Sequence, residues 1–189
     1  YTGWVKTKFL KKMQEINYIV AIPQTCIYVV PNDKSNIHMY LTIGSQVYVT
    51  KHDDKWKKIS FIKNKKTISG FIPSKHLLPK GTKLDWIKVA EWLINTPYKW
   101  GGKTSFGIDC SGLVQIALQS SGFYFPRDTN QQIEVLGDKS NSSICRGTLI
   151  FWEGHVGIMI NKKKLLHASA YHMKVVIELL TDVEKRQIK

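Results

Sequence analysis

The stretch Thr96–Gly122, TPYKWGGKTSFGIDCSGLVQIALQSSG, decides how the rest of the chain is read. A glycine-rich loop ends in an acid, Asp109, and Cys110 then opens an apolar run that closes at Gly122. Leu113, Ile116 and Ala117, with Ser120 or Ser121, recur at helical spacing, so the pattern predicts a helix over 110–121 stopped by the glycine. A cysteine in the first turn of a helix meets unpaired backbone N–H groups and the positive end of the helix dipole. Both favour a thiolate, and the same N–H groups can hold an oxyanion. This setting predicts a reactive thiol; a core cysteine does not need it.

A cysteine nucleophile needs a base within hydrogen-bond reach and a group that orients the base. Of the six histidines, His38, His52 and His76 fall in the β-rich first half, and His172 follows the last histidine-bearing strand. That leaves His155, which opens HVGIMI, and His167, inside LLHAS. The turn NKKK joins these runs as an antiparallel hairpin, which brings the two histidines near each other. One can face the thiol while the other orients it. The spacing of Cys110, His155 and His167 matches no usual zinc pattern, which disfavours a metal site, and hydrolysis by a cysteine nucleophile needs no metal or organic cofactor.

Outward from this centre the chain divides by period. Ahead of it, YIVAI, TCIYVV, HMYL, QVYVT, WKKISFI and TISGFI are β-branched and aromatic, separated by turn signals such as PND and KHDD. Short strands at this spacing predict a small all-β barrel or sandwich over 18–79, with 80–84 as a linker. YTGWVKTKFL at the start resembles ISGFIPSKHL at Ile68–Leu77, an offset of 67 residues. The simple reading is that residues 1–17 hold the end of an earlier repeat and a linker. DWIKVAEWLIN reads as a helix capped by Asp85, with Trp86, Val89, Ala90, Leu93 and Ile94 on one face. Thr129–Gln132, TNQQ, reads as a capping box opening a third helix that stops near Gly137. TLIFW, HVGIMI, KLLHAS and KVVIEL then alternate with period two. Helices followed by strands, rather than interleaved with them, predict an α+β unit over 85–189.

Composition narrows the classes. Apolar residues make up 43% and charged residues 22%, which suits a packed core. No apolar run approaches the roughly 18 residues of a membrane span, so no transmembrane segment is expected. The three cysteines form no C-x-x-C pair, and their odd number disfavours a disulfide framework. The net charge of +14 is uneven: residues 1–84 carry 15 Lys/Arg against 4 Asp/Glu. Such a half suits an anionic partner or a lysine-solvated surface. No nucleic-acid-binding motif accompanies it, and nucleic acid is not an expected partner.

Taken together, PYKWGG, DCSGLVQ, PRD, RGTLIFW, GHVGIMI and LLHA resemble, in order and spacing, the NlpC-type branch of papain-like bacterial cell-wall cysteine peptidases. The all-β half is similar to the bacterial SH3-like barrels that often precede this domain. The resemblance implies a papain-like α+β fold after an SH3-like barrel. It also implies hydrolysis of peptidoglycan stem peptides, above all at the γ-D-glutamyl-diamino acid bond. Cys110 matches the nucleophile, His155 the base and His167 the orienting residue. Tyr98, Trp100, Asp109, Ser111 and Thr129 match substrate-binding positions; Asp109 is a candidate receptor for a free peptide amine as well as a helix cap. Arg127 is a candidate partner for a carboxylate, in the substrate or in the protein. Where the family usually has Gly-Asp-Leu, this chain has Gly147-Thr148-Leu149, a change expected to affect structure rather than chemistry. An amidase or acyltransferase on the same three residues, or a non-catalytic wall-binding protein, are the competing classes. The resemblance fits wall recycling in the cytoplasm and remodelling in the envelope alike.

Overall fold

A computed structural model describes residues 4–10, 15–63, 66–136 and 143–187. The first copy of the proposed repeat and the linker after it lie partly outside these residues, as does the expected stop at Gly137.

The alternating first half forms β1 (Tyr18–Val20), β2 (Gln24–Tyr28), β3 (Ile37–Thr42), β4 (Gln46–His52), β5 (Trp56–Lys63), β6 (Lys66–Pro73) and β7 (Leu77–Pro79). They join in one antiparallel sheet of order β3-β2-β6-β5-β4-β1-β7. Val20, Ile27, Val47, Val49, Ile59, Ile72 and Leu77 project inward as its core. β7 ends at Pro79, the last residue of the all-β stretch read from the sequence, and residues 80–84 follow it. Leu77 is drawn into the sheet because it is buried, and β1 supplies its hydrogen-bonding partner.

The second half opens with α1 (Trp86–Trp92), whose first N–H groups are capped by the Asp85 carboxylate. The buried face is Ile87, Val89, Ala90 and Leu93; Ile94, expected inside, is 36% exposed. The helix ends two residues before Ile94, and Asn95 turns to φ +67°, a left-handed conformation asparagine tolerates. β8 (Lys103–Thr104) and β9 (Gly107–Ile108) make a short hairpin, followed by α2 (Cys110–Ser120) and α3 (Thr129–Leu136). β10 (Leu149–Trp152), β11 (His155–Met159), β12 (Lys164–Ser169) and β13 (Lys174–Leu179) then form an antiparallel meander. A final helix, α4 (Leu180–Gln187), has no counterpart in the sequence reading. The architecture is α+β.

The meander is buried on both faces. Val156, Ile158, Leu166, Ala168 and Val175 join the core of α1 and α2. Met159 and Leu165 pack on the other side with Leu180 and Val183 of α4. The all-β part abuts the second half through the β8–β9 hairpin. Ser105 Oγ donates to Pro23 O at 2.6 Å, and Gln24 Nε2 donates to Ser105 O at 3.2 Å. Ile43, from the β3–β4 turn, is buried in the core of the second half. No helix among the described residues is long and apolar enough to cross a membrane.

Candidate active site

Cys110 starts α2 where the sequence places it, and its sulphur rests against the chain on both sides of His155. Sγ lies 3.9 Å from Gly154 O, and the Val156 N–H points at it. The thiol is 5% exposed. Its electrostatics differ from the sequence expectation. Burial pushes the thiol above its ordinary range, and Asp109 adds to this; the N–H groups of Val156, Ser111 and Cys110 pull the other way and do not win. The helix start does aim N–H dipoles at the sulphur, but loss of water outweighs them, so the resting group is a thiol.

The β11–β12 register, Ile158 opposite Leu166, puts His155 and His167 on one face of the sheet. His155 Nε2 and His167 Nδ1 are 2.7 Å apart, with the rings nearly edge to face. Trp152, paired with His155 across β10 and β11, lies along the His155 ring at 5.7 Å between centroids. Burial, then the neighbouring His167, lower the His155 pKa to about 4. Burial also lowers His167, against the pull of Glu178.

Glu178 went unnoticed in the sequence. It sits on β13 two residues beyond Val176, the cross-strand neighbour of His167, and so shares that face. Its Oε1 is 2.6 Å from His167 Nε2; its Oε2 lies 2.6 Å from Arg186 Nη2 and 3.3 Å from His172 Nε2. Burial raises the carboxyl, but the hydrogen bonds from Arg186, His167 and His172 together bring it below the usual carboxylate range. The period-two pattern of KVVIEL could have flagged an acid on the face of His167; its register could not be read from sequence.

Tyr98 is carried by a strand-like run along β13, where Asn95 N donates to Val175 O and Tyr98 N donates to Met173 O, both at 2.9 Å. The phenol is half-buried, and burial followed by the charges of Cys110 and Asp109 raises its pKa. Trp100, 81% exposed, lines a cleft of about 490 Å³ together with Asp109, Cys110, Ser111 and Thr129. Arg127, Asp128 and Gly154 are also part of its wall.

Asp109 is committed inside the protein. Oδ1 accepts from Gly112 N at 2.8 Å and Arg127 Nη1 at 2.9 Å; Oδ2 accepts from Gly101 N at 2.8 Å and Arg127 Nη2 at 2.6 Å. With the residue only 6% exposed, Asp109 caps α2 and clamps Arg127, and its carboxylate stands in the wall of the same cleft. Ser111 is drawn into the same cluster, its Oγ accepting from Arg127 Nη1 at 2.8 Å. Thr129 is the first residue of α3, not its cap, and the capping box does not form. Gln132 instead donates from Nε2 to Ser111 O at 3.0 Å and Pro126 O at 2.9 Å, tying α3 to the first turn of α2. Thr148 Oγ1 accepts from Cys145 N at 3.1 Å and lies 3.6 Å from Cys145 Sγ, contacts within one turn. Cys26, Cys110 and Cys145 are all free. No three His, Cys, Asp or Glu side chains among the described residues form a metal-binding group.

Against known proteins, residues 95–187 match the NlpC/P60 family. A gamma-D-glutamyl-L-lysine dipeptidyl-peptidase of Bacillus subtilis (strain 168) is 26% identical over 96% of this chain and 64% of its own. One of the same name from Bacillus cereus (strain ATCC 10987) is 27% identical over 94% of this chain and 59% of its own. The chain thus spans under two thirds of these relatives. An Escherichia coli K12 murein DD-endopeptidase/LD-carboxypeptidase, MepS, is 37% identical over only 42% of the chain. A crystal structure of an NlpC/P60 family protein from Bacillus cereus ATCC 10987 superposes with a TM-score of 0.67 at 18% identity, covering 93% of this chain and 61% of that one, a likeness of fold. Through its second half, the chain belongs to the NlpC/P60 family.

Proposed function

We propose that the protein is a cysteine peptidase that hydrolyses peptidoglycan stem peptides at the γ-D-glutamyl-diamino acid bond. The observation that carries this reading is the buried Cys110 thiol seated against the segment bearing His155, whose imidazole is coupled to His167 at 2.7 Å, on the wall of an open cleft. Two relatives that align along nearly the whole chain bear this activity in their names, whereas the endopeptidase MepS aligns only with part of it. The domain reading belongs to the same proposal: residues 18–79 as an SH3-like barrel, 80–84 as the linker, 85–189 as the peptidase domain, and 1–17 as the end of an SH3-like repeat plus a linker.

The resting pair is neutral, a thiol and an imidazole, so the proton moves when substrate arrives. His155 takes it from Sγ as sulphur attacks the glutamyl carbonyl carbon. The Cys110 N–H and the Tyr98 hydroxyl hold the oxyanion. The imidazolium returns its proton to the departing amine nitrogen as the C–N bond breaks, leaving a thioester. Water then gives a proton to His155 and its oxygen to the carbonyl carbon; the C–S bond breaks, the acid leaves, and His155 returns the proton to sulphur. Trp100 and Thr129 flank the cleft where the peptide lies.

The test is incubation with L-Ala-γ-D-Glu-L-Lys, free and N-acetylated, with products read by mass spectrometry. The free peptide yields L-Ala-γ-D-Glu and lysine, and Cys110→Ala yields neither. Absence of cleavage in reducing buffer, or transfer of the acyl group to an added amine in preference to water, overturns the peptidase reading. Equal cleavage of both peptides removes only a requirement for a free amine.

A further inference from the structure

We propose that Glu178 sets the protonation pattern of both histidines and is thereby a positioning residue for the reaction. The inference rests on His155 serving as the base for Cys110, and its argument is one of donors and acceptors. Three donors converge on this carboxylate: His167 Nε2 on Oε1, and Arg186 Nη2 and His172 Nε2 on Oε2. An ionised carboxylate only accepts, so the His167 proton resides on Nε2. A neutral His167 then carries a lone pair on Nδ1, and its partner at 2.7 Å, His155 Nε2, must be the donor. His155 is left with its lone pair on Nδ1, the nitrogen from which a base can take the Cys110 proton. One fixed charge on β13 therefore dictates, through two rings, which His155 nitrogen keeps its lone pair.

Arg186 gives this chain its direction. Because it donates to Oε2, any side chain at 178 must present an acceptor toward α4. In Glu178→Gln the amide oxygen turns toward Arg186 and the NH₂ toward His167. His167 Nε2 becomes an acceptor, its proton moves to Nδ1, His155 Nε2 becomes an acceptor, and His155 Nδ1 carries hydrogen. The base is then blocked although every heavy atom stays in place. Wrong-tautomer substitution in a Ser-His-Asp triad lowers kcat about 10⁴-fold.

The experiment combines ¹⁵N-histidine NMR with steady-state kinetics on the full chain. At pH 7 the wild type is expected to show His155 and His167 both as Nε2–H tautomers. Glu178→Gln is expected to show both as Nδ1–H, with kcat lower by roughly 10²–10⁴-fold and KM unchanged. Adding Arg186→Gln to Glu178→Gln frees the amide to present its oxygen to His167, and is expected to restore kcat at least tenfold. Loss of packing alone would make the double variant worse than the single one. A wild-type His155 carrying its proton on Nδ1, or a Glu178→Gln enzyme within twofold of wild type, overturns the proposal. The wild-type spectrum decides the matter even if Glu178→Gln does not fold. It also decides if no stem peptide is cleaved, so failure of the tautomer relay is distinguishable from failure of the peptidase reading.

Discussion

At the scale of single residues, the site is set by which groups lose water. Cys110 and His155 are displaced in opposite directions by burial, the thiol upward and the imidazole downward to about 4. Their neutral forms coexist near pH 7, in place of a thiolate–imidazolium pair. Alkylation of Cys110 by iodoacetamide is therefore expected to be slow at pH 7 and to accelerate only as pH rises past the ordinary thiol range. A rate already at its plateau at pH 6 would refute the neutral pair. Asp109 and Arg127 illustrate the other outcome, two charges that leave water together. Arg127→Met strands the Asp109 carboxylate, 9% exposed in its side chain, and is expected to destabilise the protein by about 3–5 kcal/mol in urea unfolding. A loss below 1 kcal/mol would show that water reaches the carboxylate.

At the scale of elements, the reactive end of α2 is held by close backbone contact. A Cβ on Gly112 would stand 2.5 Å from Gly102 O and 2.9 Å from Asp109 Oδ1. Propensity alone predicts that Gly112→Ala stabilises this helix by about 1 kcal/mol. The contact predicts the opposite sign, a loss of roughly 1–3 kcal/mol as the loop before Cys110 is pushed off the helix. Thermal unfolding and kcat together test this; a raised Tm with unchanged kcat would remove the loop–helix contact from the account. The loop is short of regular structure, yet it is held at both ends, by β13 at Asn95–Tyr98 and by Asp109 at Gly101. That is why residues without a strand or helix of their own can line a cleft.

At the scale of the whole molecule, buried neutral histidines tie folding to pH. The unfolded chain protonates His155 near 6.5, whereas the folded chain refuses the proton down to about 4. Between those values the unfolded state binds more protons, so stability falls as pH falls, by roughly 3 kcal/mol for this group. His167 shifts in the same direction and adds to the loss. The difference in urea unfolding free energy between pH 7.5 and pH 4.5 is expected to shrink in His155→Gln. Parallel losses in the two proteins would show that His155 is not held neutral by the fold.

Local chemistry made much of this legible before any coordinates. The strands of the all-β half, α2 and the four-stranded meander follow from period and turn residues, because each is decided by neighbours a few positions away. So does the nomination of Cys110, His155 and His167, since a helix start and a hairpin are local events. Glu178 was not legible, because its partnership with His167 depends on the β12–β13 register and on α4 folding back to supply Arg186. Nor was the pairing of Asp109: its sequence context offers a cap and a receptor equally, and only the arrival of Arg127 from the α2–α3 loop makes it a clamp as well. The sequence alone nominated Cys110, His155 and His167 and laid out most of the helices and strands, but not Glu178 or α4. Tertiary structure decided the charge states of those side chains, because desolvation and the count of hydrogen-bond donors around a group belong to the packed molecule and not to any stretch of chain.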